Sequence, residues 1–176
     1  MRQLLLLRHA KSAWDAPELP DRERPLNGRG RRSAALMRDA MRERGLAPDL
    51  ILVSSSRRTL QTLEALEPWD DTPLVEPMDT LYLAPAPQLL AALHEVAETV
   101  RSVLVIGHNP GLHDLALMLA APPLNLTGEK VRRRLAEGFP TAALAEFTVT
   151  GTWSDLQPGG ARLIQFLTPR TLEAAE

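Results

Sequence analysis

A chain of 176 residues fits one ordinary domain and can bury a core without covalent staples. Its formal charge of −2 gives it no general attraction for nucleic acid or an anionic membrane surface. It has no cysteine, which excludes disulfides, thiol catalysis and thiolate metal sites and is compatible with a reducing compartment. Aromatics make up only 4%, so the core must be built from Leu, Val, Ala and Ile.

The first apolar run, Leu4–Leu7, is bracketed by Arg2 and Arg8. A secretory signal needs roughly 7–15 apolar residues and a membrane helix about 20. The run therefore reads as a buried parallel strand over Gln3–Leu7, and a cytoplasmic protein is expected. Asn27 caps a helix that runs to about Arg44, with Ala34, Met37 and Met41 on one face, and Gly45 stops it. Leu50–Val53 is a second strand, followed by Ser54-Ser55-Ser56 and a helix over Arg58–Leu66. Pro73–Val75 reads as a short strand, and Gln88–Val100 as an amphipathic helix. Val103–Ile106 is another buried strand, which turns through Gly107-His108-Asn109-Pro110 into a helix over Gly111–Ala121. Ala142–Thr150 and Arg162–Leu167 read as strands that form a hairpin or a pair at one sheet edge. The domain is expected to span 1–170, with 171–176 as a C-terminal tail.

Alternating strands and helices predict an α/β fold, a mostly parallel sheet with helices on both faces. Ligands then sit beyond the carboxyl ends of the strands. The candidate residues fall at those ends: Arg8-His9, Ser54 to Arg58, and His108-Asn109. Arginine forks and helix N-termini suit phosphate oxygens. A neutral imidazole can attack phosphorus and carry the phosphoryl group, while cationic donors stabilise it in flight. His9 is then the nucleophile, and its other ring nitrogen should donate to a backbone carbonyl. There is no Walker-type loop, calcium loop or HExxH helix, and two histidines without nearby carboxylates make a weak metal case. Neither a metal nor a cofactor is expected.

Leu7-Arg8-His9-Ala10-Lys11-Ser12-Ala13-Trp14 resembles the RHG signature of the histidine phosphatase superfamily, the phosphoglycerate mutase-like family, with Ala10 in place of the usual glycine. Ser54-Ser55-Ser56-Arg57-Arg58-Thr59-Leu60-Gln61-Thr62 resembles its second block, and the spacing to Gln-Thr selects Arg58. Gly107-His108-Asn109-Pro110-Gly111-Leu112 is similar to the block with the second histidine. Asp21-Arg22-Glu23-Arg24-Pro25-Leu26, Leu81-Tyr82 and Phe139-Pro140-Thr141 resemble the SixA branch of phosphohistidine phosphatases. The likeness runs in order over nearly the whole chain.

The resemblance implies a three-layer α/β/α sandwich without a large cap domain. It further implies a metal-independent phosphatase in which His9 is phosphorylated and Arg8, Arg58 and His108 hold phosphate or another oxyanion. Arg24 either adds a contact or pairs with Asp21 or Glu23; Ser12 and Asn109 are weaker candidates for polar contacts. The substrate implied is a phosphorylated protein, such as a histidine phosphotransfer domain, met by a monomer. Glu76 and Asp79 lie where larger relatives carry a general acid, though a surface-loop reading competes for both. A phosphoramidate needs such an acid less than an ester does, because imidazole can leave protonated.

His94, His113, Arg57, the Arg132-Arg133-Arg134 run, Trp14 and Trp69 read as structural or solvated. Two rivals stand beside the main reading. One is a small-molecule or phospho-Ser/Thr/Tyr phosphatase of the same fold. The other is a non-catalytic phosphate-binding adaptor, which would have no need of a nucleophile.

Overall fold

The computed structural model describes residues 1–175. Six strands form one sheet: β1 (Arg2–Arg8), β2 (Leu50–Ser54), β3 (Leu74–Met78), β4 (Ser102–Gly107), β5 (Leu144–Val149) and β6 (Ala161–Leu167). Their order is β3-β2-β4-β1-β5-β6. The pairs β3–β2, β2–β4 and β4–β1 are parallel, while β5 runs antiparallel to both β1 and β6. This is the mostly parallel sheet the pattern predicts, with the last two strands paired at its edge.

Alternation along the strands divides the core. Leu4 and Leu6 of β1 face one side with Leu52, Val103 and Val105, and Leu5 and Leu7 face the other with Ile51, Leu104 and Ile106. The first side is covered by α3 (Ala86–His94), α4 (Gly111–Leu119) and α5 (Leu126–Glu137). The second is covered by α1 (Gly28–Glu43), α2 (Arg57–Ala65) and α6 (Pro169–Ala174). Leu4–Leu7 are wholly buried, and each such leucine contributes about 1.5–3 kcal/mol. The result is the expected three-layer sandwich.

The helix starts follow local chemistry. The Asn27 side chain accepts from Gly30 N–H at 2.8 Å, Ser56 caps α2, and Asn125 caps α5 in the same way as Asn27. Gly45, at φ 66°, closes α1 in the left-handed conformation.

Three expectations change. The helix expected over Gln88–Val100 starts at Ala86 and ends at His94. Beyond it the backbone is claimed from elsewhere: the Glu98 carbonyl accepts from Arg2, and the Val100 carbonyl from the Trp153 indole at 2.8 Å. The third strand runs Leu74–Met78, through Pro77, which an edge strand tolerates. Residues 169–174 form α6 rather than a plain tail; Thr168 caps it, and Leu172 packs on the core.

α4 meets the 84–85 backbone at Gly111, where an added Cβ would lie 1.8 Å from the Ala84 carbonyl oxygen. Gly111→Ala should therefore lower the unfolding free energy by about 1–3 kcal/mol. Gly151→Ala, whose Cβ would meet nothing within 4 Å, should stay within about 0.5 kcal/mol of the parent. Urea titration of both variants checks this, and matching midpoints would refute the contact.

Candidate active site

Parallel pairing brings three strand ends to one edge of the sheet. Arg8 stands opposite Gly107, and Val53 opposite Ile106. The residues that follow, His9 and His108, are thus neighbours, with ring centroids 5.3 Å apart. The His9 N–H donates to the Gly107 carbonyl at 3.2 Å.

His9 is buried, and its Nδ1 lies 2.7 Å from the Ala10 carbonyl oxygen. That carbonyl can only accept, so Nδ1 carries the proton and Nε2 keeps its lone pair. Ala10 is itself anchored: its N–H donates to Thr62 Oγ1 at 2.9 Å, and that hydroxyl donates to the Arg58 carbonyl at 2.7 Å. Gln61 accepts the Leu26 N–H at 2.8 Å. The Gln61-Thr62 pair of the second sequence block thus fastens both ends of the 10–26 loop to α2.

Arg8 Nη1 donates to the Phe139 carbonyl at 3.1 Å, and Asn109 Nδ2 reaches the same oxygen at 2.8 Å. Arg58 Nη1 donates to the Asp21 carbonyl at 2.8 Å and Nη2 to Asp21 Oδ2 at 3.0 Å; Nη2 also lies 3.4 Å from His108 Nδ1. His108 Nε2 stands 2.7 Å from Ser54 Oγ. Arg8 Nε, Arg58 Nε and Asn109 Oδ1 are buried without a partner. Buried polar atoms left unpaired are costly; here two are guanidinium donors beside a pair of histidines and the third, Asn109 Oδ1, is an acceptor.

Burial, followed by the charges of Arg58, Arg8 and Arg24, lowers the His9 pKa to about 4, against the Ala10 hydrogen bond. Burial, with His9 and Arg58, lowers His108 to about 3, opposed by Asp21. Both rings are neutral near pH 7.

The remaining sequence candidates divide. Arg24 is buried, pairs with Asp21 through Nε at 3.2 Å, and stacks on Trp14 with its guanidinium carbon 3.4 Å from a ring centroid. Ser12 is buried in a bridge to Leu26. Glu76 is exposed on β3 opposite Leu52, lining a groove with Val96 and Val100, and is not brought to the histidines. Asp79 is exposed and bonded to Ser55 and Arg22. Those bonds and the Arg22 charge hold its carboxyl below the usual range, so it is ionised rather than ready to donate. His94 and His113 bond to the carbonyls of Leu156 and Leu135, each at 2.7 Å, away from the pocket.

The Arg24–Asp21 pair is the alternative the sequence offers for Arg24, but the wider role of Asp21 and any role of Tyr82 are not read from it. Asp21 binds Arg58 and Arg24 and accepts from the Tyr82 hydroxyl. Burial opposes its charge, but the hydrogen bonds from Tyr82 and Arg58 and the two arginine charges outweigh it and lower its pKa. The Tyr82 ring stands edge-on to His108 at 5.4 Å. Beyond the nearness of Asp21 to Arg24, the sequence signal is their place in SixA-like stretches.

The sequence profile of the histidine phosphatase superfamily (branch 1) matches residues 4–78. An uncharacterized protein of Mycobacterium tuberculosis is 36% identical, covering 93% of this chain and 100% of its own. A structure from Agrobacterium tumefaciens, assigned as the phosphohistidine phosphatase SixA, superimposes with a TM-score of 0.79 at 32% identity, covering 96% of this chain and 98% of that one. The protein histidine phosphatase SixA complexed with tungstate gives a TM-score of 0.76 at 26% identity, covering 97% and 99%. The chain belongs to the histidine phosphatase superfamily, in its SixA-like branch, and is a phosphatase.

Unfolded histidines titrate near 6.5, so between there and about pH 4 the unfolded chain binds the extra protons. Stability should be full above about pH 6.5 and fall as pH drops, by about 1.4 kcal/mol per histidine for each unit crossed. His108→Gln should flatten this decline between pH 6.5 and 5 in urea titrations; an unchanged slope would show that His108 does not contribute. Asp21→Asn removes a half-exposed partner from a buried guanidinium and should cost about 1–2 kcal/mol after solvent screening. Asp15→Asn, on an exposed residue, is the neutral comparison in the same titration.

Proposed function

We propose that the protein hydrolyses phosphohistidine on another protein through a phosphohistidine formed on His9. The observation that carries this is a buried, neutral His9 with Nε2 unprotonated, beside the unpartnered N–H groups of Arg8 Nε and Arg58 Nε. In the first displacement, the Nε2 lone pair attacks phosphorus and the P–N bond of the substrate breaks. The substrate ring, protonated on its other nitrogen, leaves as neutral imidazole. In the second, water attacks phospho-His9, the new P–N bond breaks and inorganic phosphate forms. Arg8, Arg58 and His108 hold the phosphoryl oxygens through both steps. Arg24 acts through Asp21, and Asn109 steadies the Phe139 carbonyl that Arg8 also binds.

The carboxylates support a phosphoramidate over an ester. Asp21 and Asp79 are held ionised, and Glu76 lies on the β3 groove. An alkoxide leaving group would want a protonated acid, while a neutral imidazole does not. The SixA names of the structural relatives support the same substrate. No metal has a part in this reading, and among the described residues no three His, Asp or Glu side chains come together to hold one. A histidine phosphotransfer domain, met in the cytoplasm by a monomer, is the partner this chemistry suits.

His9→Ala should abolish turnover and acid-labile labelling of the enzyme by ³²P-phosphohistidine protein. Full activity in that variant would refute the covalent route. In a competition assay the wild-type enzyme should consume phosphohistidine protein well ahead of phosphate esters; the reverse order would select the ester phosphatase.

A further inference from the structure

The segment that carries the Phe139 carbonyl also borders a second concavity, of about 310 Å³. Among the described residues, its walls hold three cations, Lys11, Arg29 and Arg170, and no carboxylate. They come from three separate places: the loop after His9, the first turn of α1 and the first turn of α6. Ser33 and Thr141 add hydroxyl groups. Among the described residues, no carboxylate lies within 4.0 Å of any of these three cations. Gathering unneutralised like charges around one hollow, in a chain of net charge −2, costs the fold repulsion that an incoming anion relieves.

The concavity adjoins the phosphoryl pocket through two shared pieces of backbone. Lys11 follows the Ala10 carbonyl that binds His9, and two residues span at most about 7 Å. Ala142, next to the lining residue Thr141, donates its N–H to the carbonyls of Arg8 and His9, each at 3.1 Å. The α1 helix holds the Lys11 backbone closely, since a Cβ on Gly30 would lie 2.1 Å from the Lys11 carbonyl oxygen.

The three cations are exposed. Exposed ion pairs are weak one at a time, so they would hold a free small anion poorly. Added to a phosphoryl group seated on His9, two residues along the chain from Lys11, several act together. We propose that this concavity docks a cluster of carboxylates on the phosphohistidine-bearing protein, next to the residue being dephosphorylated. The proposal rests on the substrate reading above.

The test uses the full chain and two peptides, each with one phosphohistidine, flanked on both sides by three glutamates or by three serines. Free phosphoramidate is the small substrate. At low salt kcat/KM should favour the glutamate peptide by about tenfold or more, mainly through KM. The preference should fade toward parity near 1 M salt, where the screening length is about 3 Å. The double variant Arg29→Glu/Arg170→Glu should lose the preference while hydrolysing phosphoramidate at the wild-type rate. Equal turnover of the two peptides by the wild type overturns the docking, as does a variant that loses phosphoramidate and peptide turnover alike. Inorganic phosphate binding that the double variant abolishes, without any peptide preference, makes this a small-anion site and also overturns it. If the wild type hydrolyses no phosphohistidine substrate, the substrate reading fails by itself. The concavity is then judged by binding of the unphosphorylated glutamate peptide, which the double variant should weaken about tenfold; unchanged binding overturns the docking.

Discussion

The pocket depends on one register. Arg8 of β1 lies opposite Gly107 of β4 in a parallel pair, so the residue after each is a histidine at the same height. A slip of one residue would turn one ring toward the opposite face of the sheet. The bounds of the run oppose that slip: Leu4–Leu7 are wholly buried between Gln3 and Arg8, so a shift by one residue would draw a polar side chain into the core. The chemistry at the edge is positioned by hydrophobic packing well behind it.

The same burial sets the electrostatics. Arg24, Arg58, His9 and His108 are all nearly inaccessible, and Arg8 is half-buried. Cations cannot be packed this way without compensation, and here it comes in two forms. The histidines surrender their protons, and Asp21 supplies a single countercharge shared between Arg24 and Arg58. One carboxylate among three arginines leaves the pocket net positive with donors to spare, which suits a dianion better than a neutral ligand.

Much of this was legible in the sequence, because buried parallel strands and capped helices write themselves plainly: Leu4–Leu7, the Asn27 cap and the Gly45 stop all stand where their side-chain chemistry puts them. The polar residues at strand ends were legible for the same reason. What was not legible depends on contacts distant in sequence. The early end of α3 reflects bonds to Arg2 and Trp153, which no window around residue 95 contains. The α5 helix was foreshadowed only by its run of three arginines, since most of its surface is solvated. Asp21 looked like one acid among many in a charged loop, and its two-sided grip on Arg24 and Arg58 exists only once α2 and the 10–26 loop are brought together. Chain position alone points to Glu76 and Asp79 as proton donors, whereas strand pairing sends Glu76 to a groove and a local ion pair claims Asp79.

Trp14, 74% exposed, lies flat against the Arg24 guanidinium, whereas Trp153 is sealed in the core and Trp69 is half-buried on the other side of the sheet. The three indoles therefore differ sharply in surroundings, and only Trp14 touches a charge at the pocket. A ligand that draws Arg24 off the ring would exchange a cation for water on the face of that indole. The protein carries its own optical reporter: the emission of Trp14 would follow occupancy of the pocket while Trp153 supplied a steady background, without any label.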